Sequence, residues 1–277
     1  MISKPRYGKN KVCFITGSGS ANGAMMAKRI AQFGYDIALH HSGRDEEGAQ
    51  KTAREIREQN HVRCVVFSED LTKPNSSKRL FEQFQKHFSR LDLFIANAGI
   101  TAGGDFIHMN PEAFEKVYRV NWTGTFFTVQ YAARMMAQKE IAGQIVIISS
   151  NHHRNNCPGY APYGCMKEAI CRFTEYCALE LSPYDIRITC LAPGWIANGA
   201  PQFSDPKQRK QLDKIAQSLP LRRFVTSEEL ADWSVFLTTD AGKSYSGDTV
   251  NIDGGASFLD GRSSDEIPVI SFKESDL

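Results

Sequence analysis

The sequence predicts an α/β fold, a single doubly wound parallel sheet of about seven strands with helices on both faces. Two observations predict it. Short apolar runs rich in β-branched residues recur along the chain, and each is followed by a longer stretch of helical periodicity. Strands that are apolar on both faces must be covered on both faces, which in a βα alternation means helices above and below a parallel sheet. The 277 residues, 42% of them hydrophobic, contain no Pro/Gly/Ser-rich break or charge block, so residues 1–277 are expected to form one domain.

The first strand, VCFIT at 12–16, runs into TGSGSANGAMMAKRIAQFG, a glycine-rich turn opening an amphipathic helix. The second, DIALHH at 36–41, follows that helix closely and ends in HHSGR. RCVVFS at 63–68 and DLFIAN at 92–97 supply the third and fourth, the latter followed by a helical stretch over 110–138. QIVIISS at 144–150 leads into SSNHHRNNCPGYAPYGCMK and a helix expected at 163–182. RITCLA at 187–192 and TVNID at 249–253 complete the sheet. Residues 195–220 read as a mobile lid of one or two helices, and 261–277 as a polar tail or subunit-contact arm.

Thirty-three basic and thirty-one acidic residues, interspersed, give a net charge of +2. Neither nucleic acid nor a membrane surface is thereby favoured as a partner, and a small molecule is expected. Seven cysteines, an odd number without close pairs in a chain of this size, read as reduced thiols of a cytoplasmic protein. The basic start, MISKPRYGKNK, precedes an apolar run of strand length only, too short for a signal peptide or a membrane span.

Ligands of a doubly wound sheet bind at the carboxyl ends of its strands. After the first strand, Gly17, Gly19 and Gly23 would let backbone N–H groups and a helix N-terminus face a pyrophosphate. After the second, where an acidic side chain would hold a dinucleotide's ribose hydroxyls, stand His40, His41, Ser42, Gly43 and Arg44. Those groups suit a phosphate monoester, so NADP(H) is expected ahead of NAD(H). Asp45, Glu46 and Glu47 offer the competing arrangement, in which they neutralise Arg44 at the surface.

The crowded stretch 149–167 admits three readings. A metal site lacks chelating spacing, since His152 and His153 are adjacent and no Cys-x-x-Cys or His-x-x-x-His occurs, so no metal is expected. A serine nucleophile lacks the Gly-x-Ser-x-Gly elbow around Ser149 and Ser150. What remains is Tyr163 and Lys167, four apart on one helix face, with Ser150 ending a strand thirteen residues before the tyrosine. A phenol is a poor acid/base at neutral pH unless a cation stabilises its phenolate, which a lysine one turn on can do. Tyr7 and Lys11 repeat the spacing in a polar segment with no site around them.

With these residues the chain resembles the short-chain dehydrogenase/reductase family over about residues 10–258. Six marks occur in the family's order: Thr16-Gly17 with Gly23, Asp70-Leu71, Asn97-Ala98-Gly99, Asn121, Ser150 with Tyr163 and Lys167, and Pro193-Gly194. The resemblance implies that Tyr163 is the acid/base, Ser150 orients the substrate oxygen, Lys167 binds the nicotinamide ribose and stabilises the phenolate, and Asn121 holds a water in a relay to Lys167. It implies a cofactor held by Thr16, Gly17, Gly19, Ser20, Asn22 and Gly23, by His41, Ser42 and Arg44, and by Asp70, Leu71, Asn97, Ala98 and Gly99. Tyr163, Lys167, Pro193, Gly194 and Ile196 would complete that set. Ala21 stands where the family has a glycine, and Asn198 where it often has a threonine.

The resemblance further implies a homo-oligomer, a tetramer or dimer, through the helices at 110–138 and 163–182. The substrate would meet Ser150, His152, Cys157, Tyr163 and Trp195, along a wall that His153, Arg154, Asn155 and Asn156 make polar. A small carbonyl or alcohol of sugar, polyol or oxo-acid type is therefore expected. The alternatives are an apolar carbonyl, 3-oxoacyl or steroid-type substrate under Trp195 and Phe203, and a non-catalytic nucleotide sensor built on the same sheet.

Overall fold

A computed structural model describes residues 7–19, 21–101, 104–197 and 206–259. Seven strands, β1 (Val12–Ile15), β2 (Asp36–His41), β3 (Cys64–Ser68), β4 (Leu93–Ala96), β5 (Gln144–Ile148), β6 (Arg187–Pro193) and β7 (Thr249–Ile252), form one sheet. Every pairing is parallel and the order is β3-β2-β1-β4-β5-β6-β7. All seven expected strands are present, and the fold is the single doubly wound α/β domain that the sequence predicts.

The alternation of side chains along each strand divides the interior into two layers. Phe14, Phe94, Ala96, Ile145 and Ile147 point to one face, where they pack with Leu80, Phe84, Met136 and Ile170. Cys13, Ile15, Leu93, Ile95, Val146 and Ile148 point to the other, against Met26, Ile30, Ile56, Leu230 and Val235. The first layer is covered by α3 (Ser76–Gln85), α5 (Thr125–Gln138) and α6 (Ala161–Leu181), the second by α1 (Ala21–Ala31), α2 (Glu46–Asn60) and α8 (Ser227–Phe236). Two further helices, α4 (Pro111–Tyr118) and α7 (Pro206–Gln217), flank this core.

Local chemistry sets the helix starts. Asn110 caps α4 by accepting from Glu112 and Ala113 N–H, with Pro111 in the first turn where its missing donor costs nothing. Thr226 and Glu229 form a reciprocal capping box at α8. The helical stretch expected as one piece over 110–138 is interrupted: Arg119–Gly124 forms a π-helical turn between α4 and α5. The helix expected at 163–182 begins two residues earlier, at Ala161, with Pro162 in its first turn.

The chain winds outward in both directions from the β1/β4 boundary, so the loops after these two strands part and leave a crevice at the carboxyl edge. That edge carries residues 16–19, 21–23, 97–101, 149–163 and 193–197. Within the expected lid, α7 is described, whereas residues 198–205, the tail 261–277 and the expected contact of Ser20 lie outside the described residues.

Candidate active site

The turn after β1 is held by a short polar network. Thr16 Oγ1 accepts from Asn97 and Ala98 N–H, both at 3.1 Å, and Asn97 Nδ2 donates to the carbonyls of Thr16 and Gly17 at 3.0 Å. Gly17 has φ +64°, and a Cβ there would also meet Ala98 Cα at 2.8 Å. A Cβ on Gly23 would reach the Gly17 carbonyl at 2.3 Å. No acidic residue occupies the first turn of α1, so its positive dipole end is left for an anion.

His40 locks this turn from below. Its Nδ1 accepts from Gly17 N–H at 3.0 Å, which makes Nε2 the protonated nitrogen, donating to the Glu69 carbonyl at 2.8 Å. Burial pushes this imidazole down to about 4, against the opposing hydrogen bond to Glu69, so the ring is neutral in the folded protein. Beside it His41 is buried against Gly19, accepts from Gly43 N–H at 3.1 Å, and brings Nε2 to 2.9 Å from a Glu46 oxygen, off the line of a hydrogen bond. Ser42 and Arg44 are exposed.

Arg44 has no ion pair among the described residues. Asp45 instead caps α2 through Gly48 N–H, and Glu46 reaches Gln50 and His41. The guanidinium lines a cavity of about 540 Å³ with Ile100, Asn110 and Lys116. Asp70 is partly buried, which disfavours its ionised form, but hydrogen bonds from Thr72 and the charges of Lys73 and Arg44 hold its carboxyl below the usual range.

Ser150, Tyr163, Lys167 and Asn121 come together at the end of β5. Lys167, buried in the second turn of α6, donates from Nζ to the Ile148 carbonyl at 2.8 Å and stands 5.5 Å from the centre of the Tyr163 ring. A Cβ built on Gly99 would lie 3.6 Å from Lys167 Nζ and 3.4 Å from Asn121 Oδ1, so both flank the β4 loop. Asn121 sits in the π-helical turn and spends its whole side chain on Ile100, accepting from its N–H and donating to its carbonyl, each at 2.8 Å. Ser150 Oγ lies 3.3 Å from His152 Nδ1, and the His152 ring stands edge-on to Tyr163 at 5.6 Å.

A family model described as enoyl-(acyl carrier protein) reductase matches residues 19–257. The chain belongs to the short-chain dehydrogenase/reductase family. It is 32% identical to the uncharacterized oxidoreductase YohF of Escherichia coli (strain K12), over 88% of this chain and 95% of that one. It is 31% identical to cyclohexanol dehydrogenase of Rhodococcus sp. (strain TK6), over 90% and 97%. Among solved structures it is similar to acetoin dehydrogenase YohF from Salmonella typhimurium (29% identity, TM-score 0.79, 90% and 97% covered). NAD⁺-bound xylitol dehydrogenase is similar at 28% identity and TM-score 0.79, over 89% and 99%.

In this oxidoreductase the remaining expected site residues fall as follows. Leu71 is buried against Gly124 of the π turn. Asn22 Oδ1 accepts from Ser227 Oγ at 3.1 Å, tying α1 to α8. Pro193 ends β6, Gly194 after it donates to the Ile252 carbonyl at 3.0 Å, and Ile196 bridges to Val225. Trp195 is 46% exposed and stacks on Phe224 at 5.8 Å. Cys157 and Arg154 are exposed.

His153 turns away from the polar wall expected of it. Its Nδ1 lies 3.0 Å from Glu168 and its Nε2 2.8 Å from Asn251 Oδ1, joining α6 to β7. With Cys171 and Glu168 it forms the one group of potential metal ligands among the described residues, within 4.8 Å of one another, in an arrangement that sequence spacing does not reveal. All seven cysteines are free thiols; Cys171 and Cys190 approach to 3.9 Å.

No local sequence pattern marks His40 as a structural part of the turn, because its partners Gly17 and Glu69 are distant in the chain. The conformation of Ala21 is likewise not marked by any local sequence pattern. Ala21 holds φ +49°, the left-handed region that costs an L-residue about 1–2 kcal/mol. Ala21→Gly is therefore expected to stabilise the protein by about 0.5–1 kcal/mol after the added chain entropy of glycine is subtracted. Thermal unfolding checks this; an unchanged or lowered midpoint contradicts it.

Proposed function

We propose that this short-chain dehydrogenase/reductase interconverts a small polar carbonyl compound and its alcohol with NADP(H), NAD(H) being the second cofactor it could accept. The observation that carries the reading is the convergence of Ser150, Tyr163 and Lys167 at the carboxyl edge of the sheet, beside a turn shaped for a pyrophosphate. Gly17 and Gly23 leave room that any Cβ would fill. Thr16, Gly19, Asp70, Leu71, Asn97, Ala98, Gly99, Pro193, Gly194 and Ile196 would border the cofactor, with His41, Ser42 and Arg44 towards a 2′-phosphate. When bound, the cofactor supplies or takes up the hydride.

The chain's own residues manage the proton. Ser150 Oγ–H would orient the substrate oxygen, and the Tyr163 hydroxyl would give it a proton in reduction or take one in oxidation. Lys167, with one Nζ hydrogen bond to Ile148 and its charge beside the Tyr163 ring, would stabilise the phenolate formed in reduction. Because Asn121 spends its side chain on Ile100, its share in a proton relay would fall to its main-chain carbonyl in the π turn, where helical bonding is irregular. Helix α7, the described helix of the expected lid, would cover the bound substrate. The apolar groove of about 850 Å³ between α5 and α6, with Trp122, Phe126, Phe173 and Tyr176, supports association of two copies along these helices. No helix among the described residues is long and apolar enough to cross a membrane.

A panel of carbonyls and alcohols, assayed with NADPH, NADH and their oxidised forms, tests the activity; no turnover of any of them would refute it. For cofactor choice, Arg44→Ala is expected to weaken NADPH binding at least about tenfold while leaving NADH within about twofold, because a charge-assisted contact serves only the 2′-phosphate. Nicotinamide fluorescence measures both affinities, and an unchanged NADPH affinity would reduce Arg44 to a surface charge.

A further inference from the structure

His152 has a place in the site that proton transfer and hydride transfer leave without a task. It follows Ser150 in the single-turn helix Asn151–His153, half-buried between Tyr160 and Tyr163, whose rings lie 5.5 and 5.6 Å from its own. Its Nδ1 is 3.3 Å from Ser150 Oγ, and Nε2 has no hydrogen bond among the described residues. Burial lowers the proton affinity of the ring, which favours the neutral imidazole with one bare nitrogen.

A serine hydroxyl has one proton to donate. In the free protein the Ser150 proton can go to His152 Nδ1, the other acceptor, Asn151 Oδ1, being at 3.5 Å. When Ser150 turns that proton to a substrate oxygen, Nδ1 loses its donor and faces the substrate with a bare lone pair. An unpaired, half-buried acceptor costs free energy that a correctly placed donor restores. Oxygens on neighbouring carbons lie about one hydrogen-bond length apart. The same separation relates Ser150 Oγ to His152 Nδ1, so the group best placed to donate is a hydroxyl on the carbon next to the reacting one.

We infer that His152 is the specificity-determining residue of this site and that it selects α-hydroxy carbonyls and vicinal diols over carbonyls and alcohols without the adjacent hydroxyl. This rests on the reading of Ser150, Tyr163 and Lys167 as the groups that handle the reacting oxygen.

The test compares kcat/KM for matched ketone pairs differing only in an α-hydroxyl, one pair linear, one cyclic and one aryl-substituted, with both NADPH and NADH. The wild-type protein should favour the hydroxy ketone at least about tenfold. His152→Phe keeps a ring against Tyr160 and Tyr163 but has no acceptor; whatever its absolute rates, the ratio should fall to near one, chiefly through KM. His152→Gln, whose amide oxygen can accept, should restore part of the ratio. A wild-type ratio near one, or a ratio unchanged in His152→Phe, overturns the role of His152 alone. No turnover of any ketone with either cofactor overturns the reading beneath it as well.

Discussion

Tyr163→Phe is expected to lower turnover by about 10³-fold while leaving cofactor affinity within about twofold. The substitution removes one oxygen from a half-buried ring that packs edge-on with His152 and lies 5.5 Å from Lys167 Nζ, so the surrounding contacts persist. On the proposed mechanism, only proton exchange with the substrate oxygen is lost. On the proposed assignment Ser150 and Lys167 still orient substrate and cofactor, so a KM close to wild type should accompany the fall in kcat. Steady-state kinetics on any substrate found in the panel, together with cofactor titration by fluorescence, measures the two parts separately. Retained turnover would mean that Tyr163 is not the acid/base; lost cofactor binding would mean that the phenol props up the cofactor pocket.

The second large effect is expected at His40. His40→Leu leaves Gly17 N–H and the Glu69 carbonyl without their partner in a buried turn, at a cost of about 2–3 kcal/mol. It should also change the pH dependence of folding. In the native protein the ring takes a proton only near pH 4, whereas in the unfolded chain an imidazole does so near 6.5. Between those values the unfolded chain binds more protons, so the wild-type protein is stabilised above about pH 6.5 and loses about 3 kcal/mol as pH falls from there to 4. Denaturant unfolding across that range should show this slope in the wild-type protein and lack it in His40→Leu. Parallel curves would assign the acid sensitivity to other groups. Cofactor affinity should weaken in the same variant, because the turn proposed to hold the pyrophosphate is no longer pinned to β2.

The sheet was legible because its strands are apolar on both faces, a pattern that needs no knowledge of partners. Gly17, Gly23, Ser150, Tyr163 and Lys167 stand out as candidates in the sequence because their chemistry and their places beside strand ends coincide. Other features depend on groups distant in the chain. His40 becomes part of the turn through Gly17 and Glu69, 23 and 29 residues away. His153, as polar in sequence as His152, is claimed by Glu168 and Asn251 and so leaves the wall to its neighbour. The acids after Arg44 look like its partners in sequence, but the geometry of a helix start commits Asp45 to capping. The π turn was hidden because helical periodicity on either side of it continues with only a shift of phase.

That shift of phase has a consequence for how the protein can change over time. One extra residue in a helix rotates everything beyond it by about 100°. The face that α5 turns outward, towards another copy or towards water, is therefore set by an offset at 119–124 rather than by the course of α4. Substitutions can accumulate on that outer face while the loop held by Asn121 against Ile100 keeps its geometry. The outer face of α5 and the loop around Asn121 thus share one rod but are keyed to it at different angles.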